Sequence, residues 1–126
     1  MTDTTIDYEG GCHCGSVSFT FKSEPITGAM RCNCSMCRRK NAIMSREYYP
    51  ADAFELIKGS ESLAIYRFPP HLVNHYFCKH CGIYPFHDGV ENPGIYRINL
   101  GCVDEIDPHK LPIRVFDGRD SWQYLD

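Results

Sequence analysis

The sequence has no long apolar run, no basic excess and little helical periodicity, and each absence removes a class of protein. No stretch approaches the roughly 20 apolar residues that a helical membrane span requires, and the formal charge of -3 does not point to a membrane surface either. Met1 to Gly10 is polar and acidic, so no secretory leader is expected. Thirteen Lys and Arg stand against 16 Asp and Glu, which leaves no basic footprint for nucleic acid. Neither repeats nor low-complexity segments nor an internal linker interrupt the chain.

What is present fits one small domain. The chain has 126 residues, 43% of them hydrophobic and 13% aromatic, enough for a core without disulfide staples. Residues 1–9 read as a loose tail and residues 10–126 as a single domain. The local signals beyond the tail are for short strands. Val17 to Phe21 alternates with period two, and Phe54 to Lys58 ends at Gly59. Leu63 to Phe68 and Val73 to Phe77 flank Pro69-Pro70 and read as neighbouring strands across a loop. Gly94 to Leu100 sets Ile95, Arg97 and Asn99 against Tyr96, Ile98 and Leu100, and Ile113 to Phe116 ends at the turn signal Asp117-Gly118. One helical turn is expected after Cys37 and another through Ala51-Asp52-Ala53. The pattern predicts a mainly β fold.

Eight cysteines dominate the chemistry. With no export signal, the expected location is cytoplasmic, a reducing compartment where clustered cysteines bind metal more often than they form disulfides. They fall into Cys12 and Cys14 (C-x-C), Cys32, Cys34 and Cys37 (C-x-C-x2-C), Cys78 and Cys81 (C-x2-C), and a solitary Cys102. Ligands held on one short turn converge on an ion at little cost in loop closure. Gly11, Gly15 and Gly82 stand where such turns need them. The two pairs complete a closed four-sulfur site, of the structural kind. The triplet supplies three sulfurs and leaves one position for chemistry. The expectation is therefore two zinc ions per chain. Disulfides remain an alternative. So does a second closed site, with Cys102 or one of His13, His71, His75, His80, His87 and His109 as fourth ligand.

Three motifs carry a resemblance. Gly11-Cys12-His13-Cys14-Gly15-Ser16-Val17, Cys32-Asn33-Cys34-Ser35-Met36-Cys37-Arg38-Arg39 and Phe77-Cys78-Lys79-His80-Cys81-Gly82 resemble, in order, the motifs of the glutathione-dependent formaldehyde-activating enzyme family, which includes centromere protein V. The resemblance runs from about Gly11 to Phe116. It implies several coiled antiparallel sheets around zinc knuckles, similar to Mss4-like proteins. It also implies a structural zinc on Cys12, Cys14, Cys78 and Cys81, and a catalytic zinc on Cys32, Cys34 and Cys37. The implied activity is that of a carbon–sulfur lyase, S-(hydroxymethyl)glutathione synthase, whose partners are glutathione or its aldehyde adduct. Asn33 departs from the histidine that many members have there.

The chemistry of the triplet agrees with that implication. Three thiolates and Zn²⁺ sum to a charge of about -1, which suits thiolate retention better than hydroxide generation. Arg38, Arg39 and Lys40 read equally as a clamp for substrate carboxylates or as a solvated turn. Tyr84, Phe86 and His87 read as core packing behind the last knuckle. Two further classes stay open: a non-catalytic zinc-stabilised binding module, which has little need of an open site, and a redox enzyme using Cys102.

Overall fold

The structure, a computed structural model, describes residues 4–125. Among them are ten strands in three sheets and one short helix. Strands β1 (Ile6–Gly11), β2 (Ser18–Ser23) and β5 (Phe54–Lys58) form the first sheet, antiparallel throughout, in the order β1-β2-β5. Strands β3 (Ala29–Cys32), β4 (Met44–Ser45) and β10 (Ile113–Phe116) form the second, in the order β10-β3-β4. The third runs β6-β7-β8-β9 through Leu63–Tyr66, Val73–Cys78, Phe86–Gly89 and Arg97–Ile98, all antiparallel. The fold is mainly β, as the punctuated short apolar runs require.

Two expectations need correction. Residues 6–9 are not tail: Ile6 pairs with Ser23 and Glu9 with Thr20, and Tyr8 is buried against Phe21 with rings 5.3 Å apart. Residues 1–3 of that tail lie outside the described residues. The alternating run Gly94 to Leu100 contributes only Arg97–Ile98 to a sheet, and a turn at Leu100–Cys102 follows, its Gly101 amide capped by the Asn99 side chain. Ala51 to Ala53 is a turn, whereas Ser35–Lys40 is the helix α1.

The first and third sheets meet through a core of aromatic rings. Phe19 and Phe54 of the first sheet meet Phe86 of the third edge-on, at 5.6 and 5.3 Å. Tyr96 closes on Phe54 at 4.4 Å. Burying one such ring stabilises the fold by about 1.5–3 kcal/mol. A second cluster of Met30, Met44 and Tyr84 lies under the second sheet, with Cys32, Met36 and Phe116 packed on it.

The second sheet positions the triplet. β10 runs parallel to β3, with Ile113 beside Ala29 and Phe116 beside Cys32. Both chains therefore leave the sheet at the same end, and Asp117-Gly118 comes to lie against Cys32-Asn33-Cys34. Asn33 secures this junction. Its amide donates to Asp117 Oδ1 at 2.9 Å, and its Oδ1 accepts from Arg119 N at 3.1 Å. Asp117 also accepts from Ser121 N, Ser121 Oγ and Asp120 N. These donors, Asn33 foremost, hold its carboxyl down at about 2. The Asn33 that departs from the family pattern is thus a structural clamp.

Candidate metal centres and active site

Cys12 and Cys14 lie between β1 and β2, and Cys78 ends β7 with Cys81 on the following turn. The Sγ atoms of Cys14 stand 3.7 Å from those of both Cys12 and Cys78. A tetrahedron of sulfurs about 2.3 Å from zinc has edges of about 3.8 Å. Disulfide sulfurs would stand about 2.05 Å apart, and all eight cysteines are free. The donor set therefore fits zinc.

Backbone amides aim at these sulfurs. Val17 N donates to Cys12 Sγ at 3.3 Å and His80 N to Cys78 Sγ at 3.4 Å. The Ile83 and Cys14 amides, in that order, lower Cys81 to about 6. Gly15 and Gly82 close the two turns at φ +85° and +77°, a backbone region that other residues enter only with strain. The cluster joins the first sheet to the third.

The second group is Cys32, Cys34 and Cys37, whose sulfurs lie within 4.8 Å of one another. Cys32 ends β3, Cys34 caps α1 by accepting from Cys37 N at 3.3 Å, and Cys37 sits in the helix. A hydrogen bond from Cys37 lowers Cys32 to about 5 and raises Cys37 in return, so Cys32 is held as thiolate by a neighbour that keeps its proton. Neither Cys102 nor a histidine belongs to this group among the described residues.

Gly118 passes directly over Cys32. A Cβ on Gly118 would stand 2.6 Å from Cys32 Sγ. Gly118→Ala should therefore displace that sulfur and lower metal content by about one ion per chain, with the four-sulfur site still loaded. Metal analysis beside a melting curve checks this.

Cys102 sits elsewhere. It is buried, its Sγ faces Tyr84 O at 3.9 Å, and burial raises it to about 12. A thiol held neutral is a poor nucleophile, which removes the physical basis for redox chemistry at Cys102. Cys102→Ala should leave metal content unchanged, as atomic absorption would show.

The three sulfurs open onto a cavity of about 280 Å³. The walls are largely apolar and include Met30, Met44, Leu72, Phe116 and Trp122. Arg38, Arg39 and Lys40 divide at this point. Arg38 and Arg39 are exposed, Arg39 donating to Ser35 O at 2.8 Å. Lys40 instead lines the cavity, its Nζ 3.9 Å from the centre of the Tyr84 ring. Burial lowers Lys40, against the pull of the sulfurs.

Tyr84 and His87 are more than core packing. Tyr84 Oη stands 2.6 Å from His75 Nδ1 and 2.9 Å from His87 Nδ1. One hydroxyl thus donates to one imidazole and accepts from the other, locking their tautomers together. Burial lowers His75 to about 4 and holds His87 well below the usual histidine range, so both rings are neutral near pH 7. In the third sheet His75 pairs with His87, and His87 with Arg97, forming a cross-strand row along the cavity. Nitrogen-edited NMR should find these two imidazoles neutral at pH 5.5, roughly a unit below the usual histidine midpoint.

A family model for the glutathione-dependent formaldehyde-activating enzyme matches residues 7–117. The chain belongs to this family. It is also similar to a crystal structure of a Rhodobacter sphaeroides protein, a structural-genomics target, at 32% identity and a TM-score of 0.72. That match covers 83% of this chain and 98% of the other. Family membership supports a glutathione-related, formaldehyde-activating or lyase-like role. It is consistent with a small-thiol partner. Among the described residues, no helix is long and apolar enough to cross a membrane.

Sequence reading missed the cross-strand row. Its signal was Arg97, one cation inside an alternating apolar run, but which strands lie side by side is set by sheet order.

Proposed function

We propose that the chain is a zinc-dependent carbon–sulfur lyase-like enzyme of the S-(hydroxymethyl)glutathione synthase type, acting on a small thiol and a carbonyl compound in the cytoplasm. Cys12, Cys14, Cys78 and Cys81 hold a structural zinc in this reading, and Cys32, Cys34 and Cys37 hold a catalytic one. The observation that carries it is that the three sulfurs of Cys32, Cys34 and Cys37 together line a cavity large enough for a small substrate.

Zinc at the triplet would keep a substrate thiol as thiolate at neutral pH. The chain's own residues serve the other reactant. With Tyr84 donating to its Nδ1, His87 carries its proton on Nε2 and offers an N–H to a carbonyl oxygen that becomes negative. Lys40 adds a further donor beside the sulfurs. In the forward direction a carbon–sulfur bond forms, the carbonyl π bond breaks, and the proton lost by the thiol ends, by way of solvent, on the oxygen. The reverse expels the same thiolate.

Cobalt substitution tests the assignment. Added glutathione should strengthen the sulfur-to-metal charge-transfer bands and release about one proton per site near neutral pH. Silence toward glutathione, cysteine and other small thiols would favour a zinc-stabilised binding module.

A further inference from the structure

The cavity beside the triplet carries an electrostatic imbalance that the reaction does not use. None of its lining residues is Asp or Glu, yet Lys40 and Arg97 both line it. Lys40 faces the Tyr84 ring and is drawn to the three sulfurs. Arg97 has no such counterpart. Its guanidinium lies 4.1 Å over the Tyr48 ring and gives Nη2 to Arg46 O at 3.1 Å. Its Nε is buried without a hydrogen-bond partner, and among the described residues no carboxylate stands within ion-pair distance of it. Lys40 Nζ, on the same lining, is likewise buried without a hydrogen-bond partner. A half-buried guanidinium without a counter-charge is costly, so two unmatched cationic donors on one cavity, Arg97 Nε and Lys40 Nζ, call for an occupant that supplies oxygen acceptors and negative charge.

We infer that Arg97 is a substrate-binding residue, and that the preferred thiol has an apolar body and one carboxylate, with its sulfur at Cys32, Cys34 and Cys37 and its carboxylate on Arg97. The inference rests on the proposed thiol site and names its substrate class. A carboxylate matches the planar guanidinium fork. Methylene or aromatic carbon matches Met30, Met44, Leu72 and Phe116. An ammonium group would find no carboxylate here, which disfavours a zwitterionic peptide thiol lying wholly inside.

A matched ligand series provides the test. Mercaptohexanoate, mercaptohexanol, aminohexanethiol and glutathione are titrated into the cobalt-substituted protein. Binding is followed by the charge-transfer bands and by the fluorescence of Trp122, the single tryptophan, which lines the cavity. Mercaptohexanoate should bind at least about tenfold more tightly than the alcohol and the amine, and more tightly than glutathione. Arg97→Met should remove the preference for the acid over the alcohol. Arg97→Lys, which keeps the charge without the fork, should retain part of that preference. Equal affinities across the series in the unmodified protein overturn the inference while leaving the thiol site standing, and this result needs no variant to fold. A preference for the acid that survives Arg97→Met overturns the assignment to Arg97. No band change with any thiol overturns both the inference and the site beneath it.

Discussion

Cys78→Ser should not yield a stably folded protein at 37 °C. Cys78 is fully buried, accepts a backbone N–H from His80 and stands 3.7 Å from Cys14. Its loss would cut the bond between the first and third sheets at the point where β7 ends. Structural zinc contributes about 10 kcal/mol or more in small domains, comparable to the whole stability of a domain this size. The variant should lose about one zinc per chain, and its cooperative melting transition should vanish or fall by tens of degrees. An unchanged melting temperature would show that the four sulfurs do not hold the fold.

Cys34→Ser should behave in the opposite way, keeping the fold and losing the chemistry. Cys34 is the N-cap of α1, where its sulfur accepts from Cys37 N. Serine is among the best N-cap residues, so the cap survives the exchange. The sulfur ligand does not. A free thiol with an ordinary value near 8.5 is only about 3% thiolate at pH 7, so loss of metal assistance alone costs roughly thirtyfold in rate. Loss of positioning adds to this. The rate of thiol adduct formation should fall by at least about a hundredfold, with the melting temperature within a few degrees of the parent and the glutathione response of the cobalt bands abolished. Full turnover in this variant would remove the triplet from the mechanism.

The cysteine groups were legible because metal ligands on a turn are close in sequence by necessity. Cys12 with Cys14, Cys78 with Cys81, and the triplet each declare themselves within a few residues. The joining of the two pairs followed from ligand number, and the structure brings those four sulfurs together. β1 escaped because it is an edge strand with one buried row. Asp7 and Glu9 made the segment look like tail, while Tyr8 and Gly10 face inward. Gly10 is so close to the Phe19 ring that a Cβ there would stand 2.7 Å from Phe19 Cζ. The parallel seating of β10 on β3 joins segments more than 80 residues apart, and no local pattern encodes it. Gly118 over Cys32 depends on that long-range register, and the row His75, His87, Arg97 depends on the register of consecutive strands β7, β8 and β9, which the lengths of the connecting turns leave open.

The separation between ligands also implies an order of assembly during synthesis. Cys32, Cys34 and Cys37 emerge from the ribosome within six residues of one another, and can gather around an ion almost as soon as they appear. The other group must wait: Cys14 and Cys78 are 64 residues apart, and the entropy of closing a loop grows with its length. At about 5–20 residues per second, the nascent chain spends several seconds with the triplet available and the clamp unmade. Gly118, whose backbone lies over Cys32, is synthesised after every cysteine ligand. On the proposed assignment, metal supply in those seconds acts on the three-cysteine centre first, and only afterwards on the four-cysteine clamp.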